Sequence, residues 1–435
     1  MEYSEALQYL KGLSRFGINL GLERIDALLA RLGSPHVKIP AIHIGGTNGK
    51  GSVTAMVSTI CQASGLKTGR YISPALNRFN ERVSINGVDI PDHEVAKLLT
   101  EIRPHAEAIG LKGEHPTEFE VVTAMAFLYF SRESVDLAVI EVGLGGRLDS
   151  TNVLTNPLAV VITNIGLEHT QILGDTLEKI AWEKAGIIKN NITVITGVTE
   201  SGPLKVLINQ ANSHDAELIR IGVDFSGEIL HTDWHGTTAT IRTMLSRYPA
   251  IRIPLLGQHQ VHNAAMALAV IDVLRRRGYA ITPEIAINGM DMVVWPGRME
   301  LMQTNPVVII DGAHNPDGAR TLKTSIGELG AGQRFIYVLG ILADKDWQRM
   351  LQILVPGSSH VVAVQPDSPR ALAAHLIAHE ASQYGVDVTE CLHVVDGVNR
   401  ALALAQPNDV VCIAGSLTTA GEARKKWIEQ KGDAF

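Results

Sequence analysis

The sequence predicts an α/β chain of two domains: an N-terminal phosphate-loop domain with a parallel sheet over 1–296, and a C-terminal Rossmann-like domain over 297–435. Three observations predict it. Short apolar runs alternate with stretches of helical period, the pattern of strand–helix–strand units. One run, Ile39 to Gly45, empties into the glycine-rich turn Gly46-Thr47-Asn48-Gly49-Lys50-Gly51-Ser52, and a helical pattern begins at once. Behind Val294-Trp295-Pro296-Gly297-Arg298 the alternation starts afresh, and 435 residues suffice for two separate cores.

Composition narrows the class. A hydrophobic fraction of 46% fits a globular chain rather than a disordered or fibrous one. No apolar run has the length of a bilayer span, and Met1-Glu2-Tyr3-Ser4-Glu5 lacks the basic and apolar regions of a signal peptide. Cys61, Cys391 and Cys412 lie in unrelated contexts and form neither a disulfide framework nor a paired metal spacing. A reducing, cytoplasmic setting without a membrane partner is expected. The net charge of −7 argues against a large nucleic-acid footprint. Anionic substrates would be met by local arginines and lysines.

In order along the chain, Glu5 to Leu13 and Leu22 to Leu32 carry apolar residues at helical spacing, and Gly33-Ser34-Pro35 ends the second helix. After the glycine turn, Val53, Met56, Val57, Ile60 and Cys61 recur at i, i+3, i+4, i+7 and i+8, and Gly65 is placed to close that helix at C′. Arg70 to Arg82 reads as a second strand giving way to a polar, basic loop. Helices follow from Pro91-Asp92 and over Glu118 to Phe130. Asp136 to Val142 is a strand ending at Glu141, followed by Gly143-Leu144-Gly145-Gly146-Arg147-Leu148-Asp149. Leu158 to Ile162 is another, followed by Thr163-Asn164-Ile165-Gly166-Leu167-Glu168-His169. Ligands of open parallel sheets collect beyond the carboxyl ends of strands. Glu141 and His169 therefore fall beside the phosphate loop if their strands neighbour it.

The next helix opens with Asp175-Thr176-Leu177-Glu178, which reads as a capping box with Asp175 at the N-cap. Its stripe is Leu177, Ile180, Ala181, Ala185 and Ile188, and Lys184 falls within it. Such a lysine either snorkels to water or is buried with a depressed pKa. A buried neutral amine can add CO₂ and become a carbamate, an anionic oxygen ligand; periodicity alone leaves both open. Glu228 to Pro254 alternates as a strand ribbon, and Gln260 to Arg277 is a strong helix. The second half predicts strands over Val307–Ile310, Phe335–Leu339, Val361–Val364 and Val410–Ala414. Helices are expected over Asp317–Leu329, Trp347–Leu354, Pro369–Tyr384 and Val398–Ala405. Its strand ends carry Asp311-Gly312-Ala313-His314-Asn315-Pro316 and Gly415-Ser416-Leu417.

Strand, glycine loop and helix aim backbone N–H groups and a helix N-terminus at one phosphate. Lys50 adds a point charge for the outer phosphates, and the Ser52 hydroxyl is a candidate Mg²⁺ ligand. The spelling departs from G-x-x-x-x-G-K-[ST], because Ile44 stands where the first glycine would be and Gly51 where the hydroxyl residue would be. That departure argues against an ordinary GTPase or kinase. Two domains across a linker suggest that closure brings a second substrate to the nucleotide.

Thr47-Asn48-Gly49-Lys50-Gly51-Ser52, Tyr71-Ile72-Ser73-Pro74, Arg78-Phe79-Asn80-Glu81-Arg82, Glu141-Val142-Gly143-Leu144-Gly145-Gly146, Glu183-Lys184-Ala185-Gly186-Ile187-Ile188-Lys189, Pro296-Gly297-Arg298 and Asp311-Gly312-Ala313-His314-Asn315-Pro316 resemble the folylpolyglutamate synthase/dihydrofolate synthase branch of the Mur ligases. The likeness runs in order through nearly the whole chain. It implies a Mur ligase central-type domain followed by a glutamate ligase domain, and ATP-dependent amide bond formation. ATP would phosphorylate a carboxylate of a folate, or of dihydropteroate in bifunctional members, and the amine of L-glutamate would attack the acyl phosphate. The resemblance implies ATP held by Thr47, Asn48, Gly49, Lys50, Gly51, Ser52, Asn263, Arg298 and Asp311. It implies Mg²⁺, two ions, at Ser52, Ser73, Glu141, His169 and Lys184, with Lys184 as the family's carbamylated lysine. Lys50, Lys184, His169, Glu141 and His314 become the catalytic candidates. Arg82, Phe119, Asp149, His314 and Ser416 become the substrate candidates, and a monomer is expected.

Ala75 stands where the family often has histidine and Glu168 where it often has aspartate; neither removes a metal or phosphate ligand. Asp149-Ser150-Thr151-Asn152 is the spelling of relatives that only extend folates, whereas bifunctional ones tend to have alanine for the serine. Two other readings stand beside this one. A peptidoglycan-precursor Mur ligase would need a nucleotide-sugar domain ahead of Ile39. A non-catalytic ATP-sensing module would need no second metal site.

Overall fold

The computed structural model describes residues 1–111 and 113–431, so the last four positions of the expected C-terminal domain lie outside the described residues. The N-terminal helices are α1 (Tyr3–Leu13) and α2 (Glu23–Arg31). The first sheet comprises β1 (Ala41–Gly45), β2 (Thr68–Tyr71), β3 (Val83–Ile85), β4 (Val88–Asp89), β5 (Leu137–Glu141), β6 (Ala159–Ile162), β7 (Thr193–Thr196) and β8 (Glu217–Arg220), in the order β4-β3-β2-β5-β1-β6-β7-β8. Its helices are α3 (Lys50–Ala63), α4 (Asp92–Gly110), α5 (Glu118–Arg132), α6 (Thr170–Leu173), α7 (Leu177–Ala185) and α8 (Ser201–Ser213). β2, β5, β1, β6, β7 and β8 run parallel, while β3 and β4 form an antiparallel edge.

A separate three-stranded sheet has the order β11-β10-β9, from β9 (Ser226–Asp233), β10 (Gly236–Arg242) and β11 (Arg247–Ile253). α9 (His259–Arg276) and α10 (Pro283–Asp291) follow. The last sheet, β12-β13-β17-β14-β15-β16, uses β12 (Glu300–Thr304), β13 (Val307–Ile310), β14 (Phe335–Leu339), β15 (His360–Ala363), β16 (Asp387–Glu390) and β17 (Val410–Ala414). Its helices are α11 (Pro316–Leu329), α12 (Trp347–Leu354), α13 (Ala374–Ser382), α14 (Val394–Leu404) and α15 (Leu417–Lys431). The chain divides into two compact units. The first holds 1–228, 240–251 and 262–293; the second holds 229–239, 252–261 and 294–435. Among the described residues no helix is long and apolar enough to cross a membrane.

Why the first sheet forms is plain in its centre. All five residues of β1 and of β5 are buried, as strands covered on both faces must be. The α3 stripe, Val53, Met56, Val57, Ile60 and Cys61, is fully buried. That helix ends as the sequence predicts. Gly65 takes φ +88 and donates to the Gln62 carbonyl, and the Leu66 N–H reaches Cys61, which together make a Schellman stop. On α5, Thr117 and Glu120 complete a reciprocal capping box.

Four expectations change. The α7 cap is Thr176, not Asp175: the Thr176 side chain accepts from the Lys179 N–H, while Asp175 is an exposed partner of the Lys179 amine. Both residues suit a cap, and the extended backbone of Thr176 decides between them. The helix expected from Pro369 begins only at Ala374, because 369–373 is drawn into pairing with the loop after β14, with Ala343 N–H bonded to the Arg370 carbonyl. The last sheet also has two strands the apolar pattern did not mark. β12 and β16 are half-exposed edges whose residues are mostly polar, so they lack the run that marks a buried strand. In the first unit, β7 and β8 extend the sheet, with α8 between them in sequence, where no element was assigned.

Candidate active site

β1 lies between β5 and β6, with Ile44 paired to Glu141 on one side and to Val161 on the other. The chain leaves β1 for one half of the sheet and later enters the other at β6, so the phosphate loop sits at the switch point of an open parallel sheet. Glu141, 6% exposed, ends β5 beside it.

The loop is built by its own backbone. Gly46 has φ +135, and a Cβ there would stand 1.9 Å from the Thr163 hydroxyl oxygen. Gly49, the cap residue of α3, has φ +84, and its Cβ would meet Asn263 Oδ1 at 2.7 Å. Both positions demand glycine for conformation and for space. Asn263, on α9, therefore packs against the loop itself. The segment after β6 braces the other side. Asn164 takes the Thr47 N–H on its carbonyl (2.9 Å) and the Asn48 N–H on its side chain (2.8 Å), while Thr163 donates to the Asn48 carbonyl (2.7 Å). The Thr47 hydroxyl receives the Gly166 N–H at 2.9 Å.

Two cations meet on this loop. Lys50 donates to the carbonyls of Gly46 (3.0 Å) and Thr47 (2.9 Å). Lys184 does not snorkel: it is 1% exposed, and its amine donates to the same Gly46 carbonyl (2.7 Å) and to Glu168 (2.6 Å). Burial pulls the Lys184 pKa down to about 8, Glu168 opposing and Lys50 adding to the fall. For Glu168, burial works to raise the pKa, but Lys184 and Lys50 outweigh it and hold the carboxyl below its ordinary range.

The glycine loop after Glu141 reaches α7. Arg147 N–H donates to the Glu183 carbonyl (2.8 Å), and a Cβ on Gly146 would stand 2.8 Å from the Lys184 carbonyl. Gly143 lies against the Phe119 ring, where a Cβ would be 2.3 Å from Cζ. Asp149 is buried with both oxygens engaged: Oδ2 takes the Leu144 N–H, and Oδ1 takes the N–H and the hydroxyl of Thr151. Burial raises its pKa, and these bonds pull it back.

Ser73 begins a loop closed at its base by the Ile72 N–H to the Arg82 carbonyl. Inside it, the Glu81 carboxylate takes the N–H groups of Leu76, Asn77 and Arg78. Arg82 pairs loosely with Glu118 at 3.4 Å. His169 is exposed, with φ +46, at the start of α6. Among the described residues no group of three or more His, Cys, Asp and Glu side chains could hold a metal ion. The donors available to Mg²⁺ here are instead mixed. Glu141 and Ser52, both buried at the mouth of the switch point, offer the oxygen chemistry that Mg²⁺ takes.

In the second unit, Asp311 follows β13 and holds the turn around Arg298. Its oxygens take the Met299 N–H (2.9 Å) and the Ala313 N–H (2.8 Å). Burial raises the Asp311 pKa, against the pull of Arg298. His314 Nδ1 contacts the Gly312 carbonyl at 2.9 Å. The Ser416 hydroxyl takes the Thr419 N–H and so caps α15.

Comparison with known proteins agrees with this arrangement. The family model described as "Mur ligase middle domain" matches 44–271, and "Mur ligase, glutamate ligase domain" matches 297–417. The dihydrofolate synthase/folylpolyglutamate synthase of Bacillus subtilis is 38% identical over 98% of this chain and 99% of its own. The folylpolyglutamate synthase of Lacticaseibacillus casei is 36% identical, over 99% and 100%. The chain belongs to the folylpolyglutamate synthase/dihydrofolate synthase family of the Mur ligases. The crystal structure of the Mycobacterium tuberculosis folylpolyglutamate synthase, complexed with ADP and AMPPCP, superposes with a TM-score of 0.90 at 35% identity, covering 98% of this chain and 99% of that one.

Membership makes this chain an ATP-dependent ligase. Both rival readings give way to this family, since relatives named as folate enzymes match end to end. Several residues of the site escaped the sequence reading. Thr163 and Asn164 are visible only as polar residues at a strand end, and their partners lie more than 110 positions away in sequence. Glu168 stood out only as a departure from the family, not as the partner of Lys184.

Proposed function

We propose that this chain adds L-glutamate to a reduced folate at the expense of ATP. The observation that carries the reading is the buried Lys184 amine meeting Lys50 on the Gly46 carbonyl, with Glu141 on the adjacent strand. Transfer of the γ-phosphoryl group to a folate carboxylate oxygen would give an acyl phosphate and ADP. The glutamate amine would then attack the acyl carbon, losing a proton as phosphate departs. Two anions meet in the first step, so Lys50 and the N–H groups at the start of α3 serve the transferring group. Ser52, Ser73, Glu141, His169 and a modified Lys184 would hold Mg²⁺, which supplies charge neutralisation between nucleotide and carboxylate. Asn263 fits the nucleotide side of the same unit; Arg298 and Asp311 are assigned to it from the second domain, taken as 297–435. Arg82, Phe119 and Asp149 are assigned to the folate, His314 and Ser416 to the glutamate. A cytoplasmic monomer is part of the same proposal.

Lys184 becomes a carbamate in this reading, its neutral amine adding CO₂ and releasing a proton. A pKa of about 8 leaves a sizeable neutral fraction at physiological pH. Bicarbonate should therefore add one carboxyl to the chain by intact mass, with uptake rising as pH passes through about 8. Lys184→Ala should lose activity about 10²-fold and regain part of it with a short carboxylic acid. An unmodified Lys184 in an active enzyme would end the carbamate assignment. The function itself is tested by glutamate-dependent ADP release with tetrahydrofolate and, separately, with dihydropteroate. Turnover with neither overturns it, and turnover with dihydropteroate makes the chain bifunctional.

A further inference from the structure

A histidine in the strand that carries the phosphate loop has no place in the mechanism above. His43, two residues before Gly45 on β1, is fully buried. Its Nε2 lies 2.8 Å from the Thr151 hydroxyl oxygen, and that hydroxyl donates to Asp149 Oδ1 at 2.5 Å. The hydroxyl proton is spent on the carboxylate, so the Thr151 oxygen accepts from His43, which fixes the Nε2–H tautomer. Burial, helped by Lys189, pushes the His43 pKa down to about 3, so the ring stays neutral and keeps one donor. Asp149 in turn holds the Leu144 N–H. The chain of bonds thus runs from β1 through Thr151 and Asp149 into the glycine turn that follows Glu141.

That turn is tightly placed at both ends. Gly143 lies on the Phe119 ring, and Gly146 on the backbone of Lys184. A displacement of this turn would therefore press on the Phe119 ring and on the backbone of Lys184. The phosphate loop has its own brace in Thr163, Asn164 and Gly166, and it meets this turn through Lys184, whose amine bonds the Gly46 carbonyl.

We infer that His43 is a positioning residue for the acceptor substrate: through the Thr151 hydroxyl it sets Asp149 and the Gly143–Asp149 turn. The inference rests on the ligase reading, since it assigns the acceptor pocket of that reaction. Positional errors at a reacting centre are costly even when binding survives.

The test is a set of four single variants and one double variant, assayed for acceptor KM, ATP KM, kcat and Tm. His43→Leu and Thr151→Val remove a donor or an acceptor at near-constant volume, and should each raise the acceptor KM about tenfold with the ATP KM within about twofold. His43→Gln and Thr151→Ser keep the polar group and should lie near wild type. The double variant should cost no more than the worse single one, because both cut the same chain. An unchanged acceptor KM, or an equal rise in both KM values, overturns the inference, as does loss of Tm alone. If His43→Leu fails to fold, Thr151→Val decides. The ring ¹⁵N shifts of His43 give a readout independent of turnover: Nδ1–H would overturn the hydrogen-bond chain even in an active enzyme. Wild-type protein that turns over no folate or pteroate overturns the ligase reading instead, whatever the ring reports.

Discussion

The loop between β1 and α3 and the loop between β13 and α11 have the same plan, a buried parallel strand feeding a helix, yet they treat the helix N-terminus in opposite ways. α11 is closed by its own chain. Asn315 caps it by accepting the Gly318 N–H, Pro316 at the first position has no N–H to offer, and the nearby Asp311 carboxylate is taken up by the Met299 and Ala313 N–H groups. α3 has Gly49 at its cap, which brings no side chain, and Lys50, Gly51 and Ser52 after it, each with an N–H. The turn ahead of it is held by the segment after β6, by the Lys184 amine from α7 and by the amine of Lys50 itself. An N-terminus capped by its own side chain is structure; one left to glycine and surrounded by cations is prepared for an anion.

The sharpest way to break that contrast is to remove its cation. Lys50→Ala should lower kcat/KM about 10³-fold, near 4 kcal/mol in the transition state, as expected for a group aimed at a transferring phosphoryl. Its effect on Tm should be small, because Lys50 lowers the pKa of Lys184 and its loss relieves that repulsion. A fall in activity of less than tenfold in glutamate-dependent ADP release would place the phosphates elsewhere.

Next in size is the loop backbone. Gly46→Ala forces a side chain into φ +135 and onto Thr163, with the Thr163 nitrogen also only 2.9 Å from the new Cβ. A stability loss of about 2–4 kcal/mol is expected from strain and overpacking. The ATP KM should rise with it, since the same carbonyl anchors Lys50 and Lys184. Urea midpoints and ATP titration read the two effects, and a neutral Gly46→Ala would mean that the loop relaxes freely.

Legibility in the sequence followed the range of the interactions. The strand, turn and stripe of β1 and α3 are local, and Gly65 closes α3 where it was expected. Lys184 was legible as an anomaly, a cation in an apolar stripe, but its burial depends on α7 packing onto Gly46, 138 positions earlier. The choice between Asp175 and Thr176 as cap needed backbone angles that neighbouring capping residues share on paper. β12 and β16 are edge strands without a hydrophobic run, whereas β7 has a short apolar run and α8 a stripe at Leu204, Leu207 and Ala211 that no element was assigned to. His43 shows the limit most plainly. In sequence it is one polar residue in an apolar strand, and only the fold brings Thr151 to its ring.

The smallest change tests the closed loop. Asn315→Ala removes the α11 cap and leaves the Gly318 N–H without its acceptor, which costs about 1 kcal/mol. Pro316 still fixes the first helical φ, and Asp317 keeps its charge at the positive end of the helix, so the helix should persist with a modest fall in Tm. The informative readout is the split between stability and substrate. If Asn315 only caps, the fall in Tm should come with ATP and glutamate KM values within about twofold of wild type. Asn315→Asp, which restores an acceptor at the cap, should then recover the Tm. A variant with normal Tm and a raised glutamate KM would reverse the contrast, making the β13–α11 loop a ligand loop whose cap is incidental.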